Sequence, residues 1–155
     1  MVADEVKPQR LFTIEQANSM LPLVRAIATD MANLARELVE RRERLAVITA
    51  GRTRKTGDVY SEELAQVEAE LARDAERLRE YVTELEDLGV YPRAAVDGIV
   101  DFPAKLDGRA VFLCWKVGDP EVLYFHELDA TYSDRTSLTA ESLPGGPCTT
   151  ASGDN

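Results

Sequence analysis

The chain has 155 residues, 45% of them hydrophobic, and a formal net charge of −10 at pH 7. This length suits one domain with short appendages. The negative charge argues against a partner such as nucleic acid or an anionic membrane, because both require a cationic surface. No apolar run approaches the roughly 20 residues of a spanning helix, and the opening MVADEVKPQR lacks a signal-peptide pattern, so the sequence predicts a cytoplasmic protein.

The first predicted element is a helix that starts near residue 13. Thr13 can cap it, and Gln16 stands three residues later, where it closes a capping box. Pro22 predicts that a short first helix either kinks there or ends and restarts. A long helix then follows, because apolar residues recur in alternating steps of three and four with one polar interruption at Arg41: Val24, Ile27, Met31, Leu34, Leu38, Leu45 and Ile48.

A second helix follows the glycine-containing segment 50–58 and ends at Gly89. Apolar residues again recur in steps of three and four, and we call such a series the seam of its helix. The seam of the second helix is interrupted once, at Asp74, and consists of Leu64, Val67, Leu71, Leu78, Tyr81, Leu85 and Leu88. When the two seams are folded antiparallel, their positions match over eight layers, and the two interruptions fall one layer apart. The sequence therefore predicts a long antiparallel helical hairpin in which Arg41 pairs with Asp74.

Residues 97–130 change to β-branched and aromatic runs separated by Asp107-Gly108 and by residues 118–121. This pattern predicts a small three-stranded antiparallel meander. The fold class is therefore α+β: one domain over residues 11–133, in which the hairpin packs on the meander. Residues 1–10 are predicted to form a flexible N-terminus, and residues 134–155, which are rich in small polar residues, a disordered tail.

The predicted register divides the strand residues between two faces. The face toward the hairpin would hold Val100, Phe102, Leu113, Trp115, Tyr124 and His126. The other face would hold Asp101, Cys114, Lys116, Phe125, Glu127 and Asp129.

His126 is the single histidine of the chain and precedes Glu127. Neighbouring residues of a regular strand point to opposite faces, so the two cannot both reach one ion from mid-strand. Two interpretations stay open. In the first, His126 is a core imidazole bonded to a backbone carbonyl or to a helix carboxylate such as Glu15 or Glu86. In the second, it is a ligand or general base, which makes His126 and Glu127 the metal candidates and a divalent metal the cofactor to test. Cys114 reads as a buried apolar residue rather than a nucleophile.

Three stretches of the sequence carry a resemblance to a known family. FTIEQANSMLPLVR, ELEDLGV and GIVDFPAKLDGRAVFLCWKVGDPEVLYFHELDA resemble the bacterial domain of unknown function 2203 family, over roughly residues 11–133. The resemblance implies a small cytoplasmic bacterial protein of uncharacterised role. It carries no catalytic residue over to this chain.

Two functions stay open on these grounds, and whether the chain is an enzyme is undecided, with the balance against it. The first is a non-enzymatic interaction module that self-associates as a homodimer, with neither nucleic acid nor membrane as partner. The alternative is a metal-binding protein or metal-assisted hydrolase in which His126 is joined by nearby carboxylates.

Overall fold

The structure is a computed structural model, and it describes residues 10–50 and 59–138. Helix α1 spans Ile14–Thr49 and begins with the predicted capping box: the Gln16 amide donates to Thr13 Oγ1 and the Thr13 amide donates to Gln16 Oε1, each at 3.0 Å. Pro22 lies inside this helix, so of the two predicted alternatives, a kink or an end and restart, the second is wrong. Leu21 and Val24 are buried on either side of Pro22, and their packing outweighs the one lost hydrogen bond.

Helix α2 spans Val59–Asp87 and packs on α1. Arg41 of α1 and Asp74 of α2 form an ion pair across the two helices, which confirms the predicted antiparallel hairpin. Burial along the seam is uneven. Leu85 near the sheet is fully buried, whereas Ile48 and Val67 near the tip are exposed.

The sheet has five strands in chain order, each antiparallel to its neighbour. The three predicted strands are present, with one further strand at each edge: β1 (Tyr91–Ala94), β2 (Ile99–Leu106), β3 (Arg109–Lys116), β4 (Tyr124–Glu127) and β5 (Thr136–Ser137). The α+β class with a hairpin on an antiparallel sheet is thus confirmed. Strand β5 extends the sheet beyond residue 133, where the tail was predicted to begin. Residues 1–9 and 139–155 lie outside the described residues.

The pairing of β2 with β3 is as predicted, but that of β3 with β4 is wrong by one residue. Tyr124 lies opposite Cys114 rather than opposite Trp115. A slip of one residue moves every side chain of a strand to the other face of the sheet. Phe125 therefore joins the core under the helices, and His126 faces away from them.

The connection between β3 and β4 causes this shift. It spans residues 117–123 instead of the predicted four-residue turn. Val122 is buried in the core, and its amide donates to Asn18 Oδ1 of α1 at 2.7 Å. Asp119 holds the start of the connection, because its carboxylate accepts from the Lys116 amide and its carbonyl accepts from Trp115 Nε1. These contacts fix a longer loop than a tight turn.

Candidate functional site

The face of the sheet that points away from the helices carries three buried residues with polar or reactive side chains. Asp101 on β2 lies opposite Cys114 on β3, and His126 on β4 lies diagonally beyond Cys114. Their exposed fractions are 1%, 0% and 3%. The segment after β4 accounts for this burial, because residues 128–133 border the cavity that Asp101 and His126 also line.

Both ring nitrogens of His126 contact acceptor groups. Nε2 lies 3.0 and 3.1 Å from the two carboxylate oxygens of Asp101, and Nδ1 lies 2.9 Å from the Glu127 carbonyl oxygen. A carbonyl oxygen only accepts, so Nδ1 carries a hydrogen in this contact. The backbone-carbonyl part of the core-imidazole interpretation therefore holds. Its carboxylate partner is Asp101 rather than Glu15 or Glu86, because His126 faces away from the helices.

Asp101 receives a second partner from the edge strand. Arg93 Nε donates to Asp101 Oδ2 at 2.9 Å, and the Arg93 guanidinium lies 4.8 Å from the centre of the Phe112 ring. The ring of Phe112 in turn lies 5.6 Å from that of His126. A buried carboxylate is costly unless it is paired and hydrogen-bonded, and here an arginine and a histidine both meet that need.

Cys114 is a thiol in this environment. Burial, followed by the negative charge of Asp101, raises its pKa to about 12 against the opposing effect of Arg135. The reactive form of cysteine is the thiolate, which is scarce at neutral pH when the pKa is so high. The structure thus agrees with the interpretation of Cys114 as a buried residue rather than a nucleophile.

Arg135 holds the segment after β4 against the outer face of the sheet through contacts with three residues. Its guanidinium lies 3.9 Å from the centre of the Tyr124 ring and 4.3 Å from that of Tyr132, and Nη1 lies 2.9 Å from Asp119 Oδ2. Arginine between two aromatic rings combines cation–π attraction with a charge-assisted hydrogen bond. Sequence reasoning missed this residue because it assigned Arg135 to the disordered tail. The pairing of Tyr132 with Arg135 three residues later was the available signal.

The structure does not bring the Glu127 side chain to His126. Glu127 is exposed on the other face of β4, where its carboxylate pairs with Arg109 at 2.6 Å. The hydrogen bond from Arg109 lowers the pKa of Glu127. Of the two metal candidates from the sequence, only His126 lies in the buried cluster. Asp101 and Cys114, which the predicted register placed on the opposite face from His126, lie beside it instead.

A cavity of about 540 Å³ adjoins the cluster. Asp101 and His126 form part of its wall, together with Arg93 and Phe112, and the turn through Tyr132 borders it from above the sheet. One carboxylate oxygen, one ring nitrogen and one sulfur, from Asp101, His126 and Cys114, lie within 4.8 Å of one another. We call these three residues the Asp–Cys–His cluster. Carboxylate, imidazole and thiolate are all metal-binding groups.

Fold and site together define an α+β protein with a helical hairpin on one face of an antiparallel sheet and a buried Asp–Cys–His cluster on the other. Residues 10–138 match the family model described as Uncharacterized conserved protein (DUF2203), so the chain belongs to this family and the resemblance seen in the sequence is confirmed. Neither the curated proteins nor the solved structures contain a match to the chain. Among the described residues, none of the helices combines the length and the apolarity needed to cross a membrane.

Proposed function

We propose that the protein is a non-enzymatic interaction module that self-associates as a homodimer through the distal hairpin, by which we mean residues 37–50 and 59–75. The core shared by helices and sheet reaches Met31 on α1, and Arg36 still donates to the Val96 carbonyl at the β1–β2 turn. Further out, the buried residues belong to the two helices themselves: Leu38, Leu64 and Leu71. Among the residues that the structure describes, no third layer covers the two helices here, and helices paired in this way leave much of their apolar surface in water.

The main support for self-association is an apolar groove of about 380 Å³ between α1 and α2 in this distal hairpin. Its apolar lining includes Leu45, Ile48, Leu64 and Val67. Ile48 is 47% exposed and Val67 is 37% exposed, although both occupy seam positions that a helix bundle normally buries. Burying such residues against a partner is favourable by about 25 cal/mol for each Å² removed from water.

The charges at the groove favour a second copy of the chain as the partner. Arg41 and Arg44 border it on α1, and Glu63 and Glu70 border it on α2. A two-fold axis parallel to the helices lays α1 of one copy over α2 of the other. The basic border of each groove then faces the acidic border of the groove on the other copy. The apolar residues that line the two grooves pack together in a four-helix arrangement.

The environments of His126 and Cys114, the two side chains of the cluster that could act as a base or a nucleophile, support a non-enzymatic role. Both ring nitrogens of His126 are engaged within the protein, with Asp101 and with the Glu127 carbonyl, which favours a structural role for this imidazole over a role as a general base. The raised pKa of Cys114 disfavours its thiolate. A free, buried thiol also fits the predicted cytoplasmic location, where thiols stay reduced. The bacterial origin stays a prediction, as does the exclusion of nucleic acid and membrane as partners.

Sedimentation velocity on the full-length chain at several concentrations tests this function. We expect wild type to sediment at twice the chain mass of 17.2 kDa and Ile48→Asp to sediment as a monomer, because a buried aspartate would be unpaired in the dimer. Val47→Asp is the matched control, since Val47 is 75% exposed and does not line the groove, so this variant should remain a dimer.

Val67→Asp provides a second change on the opposite helix, and circular dichroism verifies that each variant keeps its helices. A monomeric wild type would refute the proposal. Dimers that survive in both Ile48→Asp and Val67→Asp would refute the groove as the contact. The metal-binding alternative rests on a different observation, the Asp–Cys–His cluster on the outer face of the sheet.

A further inference from the structure

We propose that Asp101, Cys114 and His126 bind one Zn²⁺ ion on the outer face of the sheet. The three residues come from three adjacent strands, so hydrogen bonds between strands hold their backbones in place. This proposal goes beyond the self-association described above and involves none of the groove residues. It also replaces Glu127, the carboxylate suggested by the sequence, with Asp101.

The distances in the cluster suit a zinc ion with small side-chain adjustments. One ligand atom from each residue lies within 4.8 Å of the other two. Tetrahedral zinc holds sulfur at about 2.3 Å and nitrogen or oxygen at about 2.0–2.2 Å, so its donor atoms stand roughly 3–4 Å apart. Small side-chain adjustments that bring the three ligand atoms closer together would enclose the ion.

The neighbours of the cluster already orient two of the ligands. His126 Nδ1 donates to the Glu127 carbonyl, which leaves Nε2 as the nitrogen that points at Asp101. Arg93 Nε donates to Asp101 Oδ2 and leaves Oδ1 for the ion. Histidines that bind metals almost always donate their other ring nitrogen to a carbonyl or carboxylate, and carboxylate ligands are similarly hydrogen-bonded.

The donor set selects the ion. Sulfur, nitrogen and oxygen together suit zinc and its close chemical relative cobalt, whereas calcium and magnesium prefer oxygen alone. On binding, the Cys114 thiol forms a sulfur–zinc bond and loses its proton to solvent, and Nε2 of His126 also gives up any proton it carries. The thiolate and the Asp101 carboxylate then place two negative charges next to the Zn²⁺ ion, while the Arg93 guanidinium remains paired with Asp101.

Three protein ligands leave one position of the tetrahedron open. Asp101 and His126 line the cavity of about 540 Å³, and Cys114 does not, so the open position is reached from the cavity. Water or a small ligand in the cavity would complete the coordination. Zinc sites with three protein ligands and an accessible fourth position differ in this way from closed structural sites, which have four protein ligands.

The test uses metal-free, tag-free full-length protein titrated with Co²⁺ and Zn²⁺. We expect one Co²⁺ per chain, an intense near-ultraviolet sulfur-to-cobalt band, and displacement of Co²⁺ by Zn²⁺. Cys114→Ser should lose that band, and Asp101→Asn and His126→Gln should each weaken binding at least tenfold. Two matched controls should leave the spectrum unchanged: Glu127→Gln, next to His126 but outside the cluster, and Cys148→Ser, which removes the other cysteine.

X-ray absorption on zinc-loaded wild type identifies the ligands without depending on the folding of any variant. We expect one sulfur at about 2.3 Å with nitrogen and oxygen ligands completing the shell. A folded wild type with no sulfur-to-cobalt band, or zinc bound without sulfur, would overturn the proposal. A band that survives in Cys114→Ser and disappears in Cys148→Ser would overturn it as well.

Discussion

Arg41 Nη1 lies 2.7 Å from Asp74 Oδ2 across the two long helices. The two side chains are 23% and 31% exposed, so the pair is partly shielded from water. The hydrogen bond to Asp74 is the main cause that raises the pKa of Arg41. These two residues are the single polar interruptions of their apolar seams. Their contact shows that the interruptions complement each other and fix the helices in one register.

The Arg41–Asp74 pair should be energetically coupled. In a double-mutant cycle with Arg41→Met and Asp74→Ala, we expect an interaction free energy of about 0.5–3 kcal/mol, the range for side chains in contact. Denaturant unfolding of the four proteins provides the values. Glu76 and Arg79, an exposed pair within α2, are the control and should be additive to within about 0.5 kcal/mol. Additive effects at Arg41 and Asp74 would mean that the contact does not hold the register.

Asn18 should contribute to stability through the loop between β3 and β4. Its Oδ1 accepts the Val122 amide at 2.7 Å, and Asn18→Ala leaves that amide without its partner beside the core. We expect the free energy of unfolding to fall by about 1–3 kcal/mol, the cost of an unsatisfied buried donor. Ser19→Ala is the matched control, because Ser19 is exposed and bonds only within its own helix, and its effect should stay within about 0.5 kcal/mol. Equal effects of the two variants would contradict the described loop.

Glu127 should titrate below the ordinary range of glutamates. The hydrogen bond from Arg109 lowers its pKa in the folded protein. Because the pKa of Glu127 is lower in the folded than in the unfolded state, the ion pair stabilises the protein at pH values above the unfolded-state pKa of about 4.3. This contribution is lost as the pH falls through the folded-state pKa. Carboxyl-resolved NMR titration measures the shift directly. Arg109→Gln should return the Glu127 pKa to its usual range, and an unchanged titration in that variant would rule out the pair as the cause.

The hairpin and the pairing of β2 with β3 were predictable because local patterns determine them. The hairpin is defined by two apolar patterns of matching length, one on each helix, in which apolar residues recur in steps of three and four. The Asp107-Gly108 turn fixes the register of β2 against β3. Asp107 adopts a positive φ of 53° there, which suits a tight turn between two strands. Both features depend on residues close in sequence, so periodicity and turn chemistry were sufficient.

The register of β4 was not predictable in the same way. It depends on Val122 entering the core and on an amide of the loop that bonds Asn18, which is 104 residues away in sequence. No local pattern reports such a contact. The error moved His126 to the wrong face and hid its pairing with Asp101. The site was therefore predicted only in part: the sequence singled out His126, which lies in the buried cluster, but its neighbours Asp101 and Cys114 were assigned to the opposite face.

Isotope-mixed photo-crosslinking shows whether two copies meet through their distal hairpins. A photoreactive residue is placed at Arg44, which borders the groove and is largely exposed, in ¹⁵N-labelled chains that are then mixed with unlabelled wild type. We predict adducts that join a labelled Arg44 position to residues 59–75 of an unlabelled chain, because the two-fold axis lays α1 over α2 of the partner. Adducts confined to single chains, or mixed adducts that fall only on the sheet, would contradict a dimer formed through the distal hairpins.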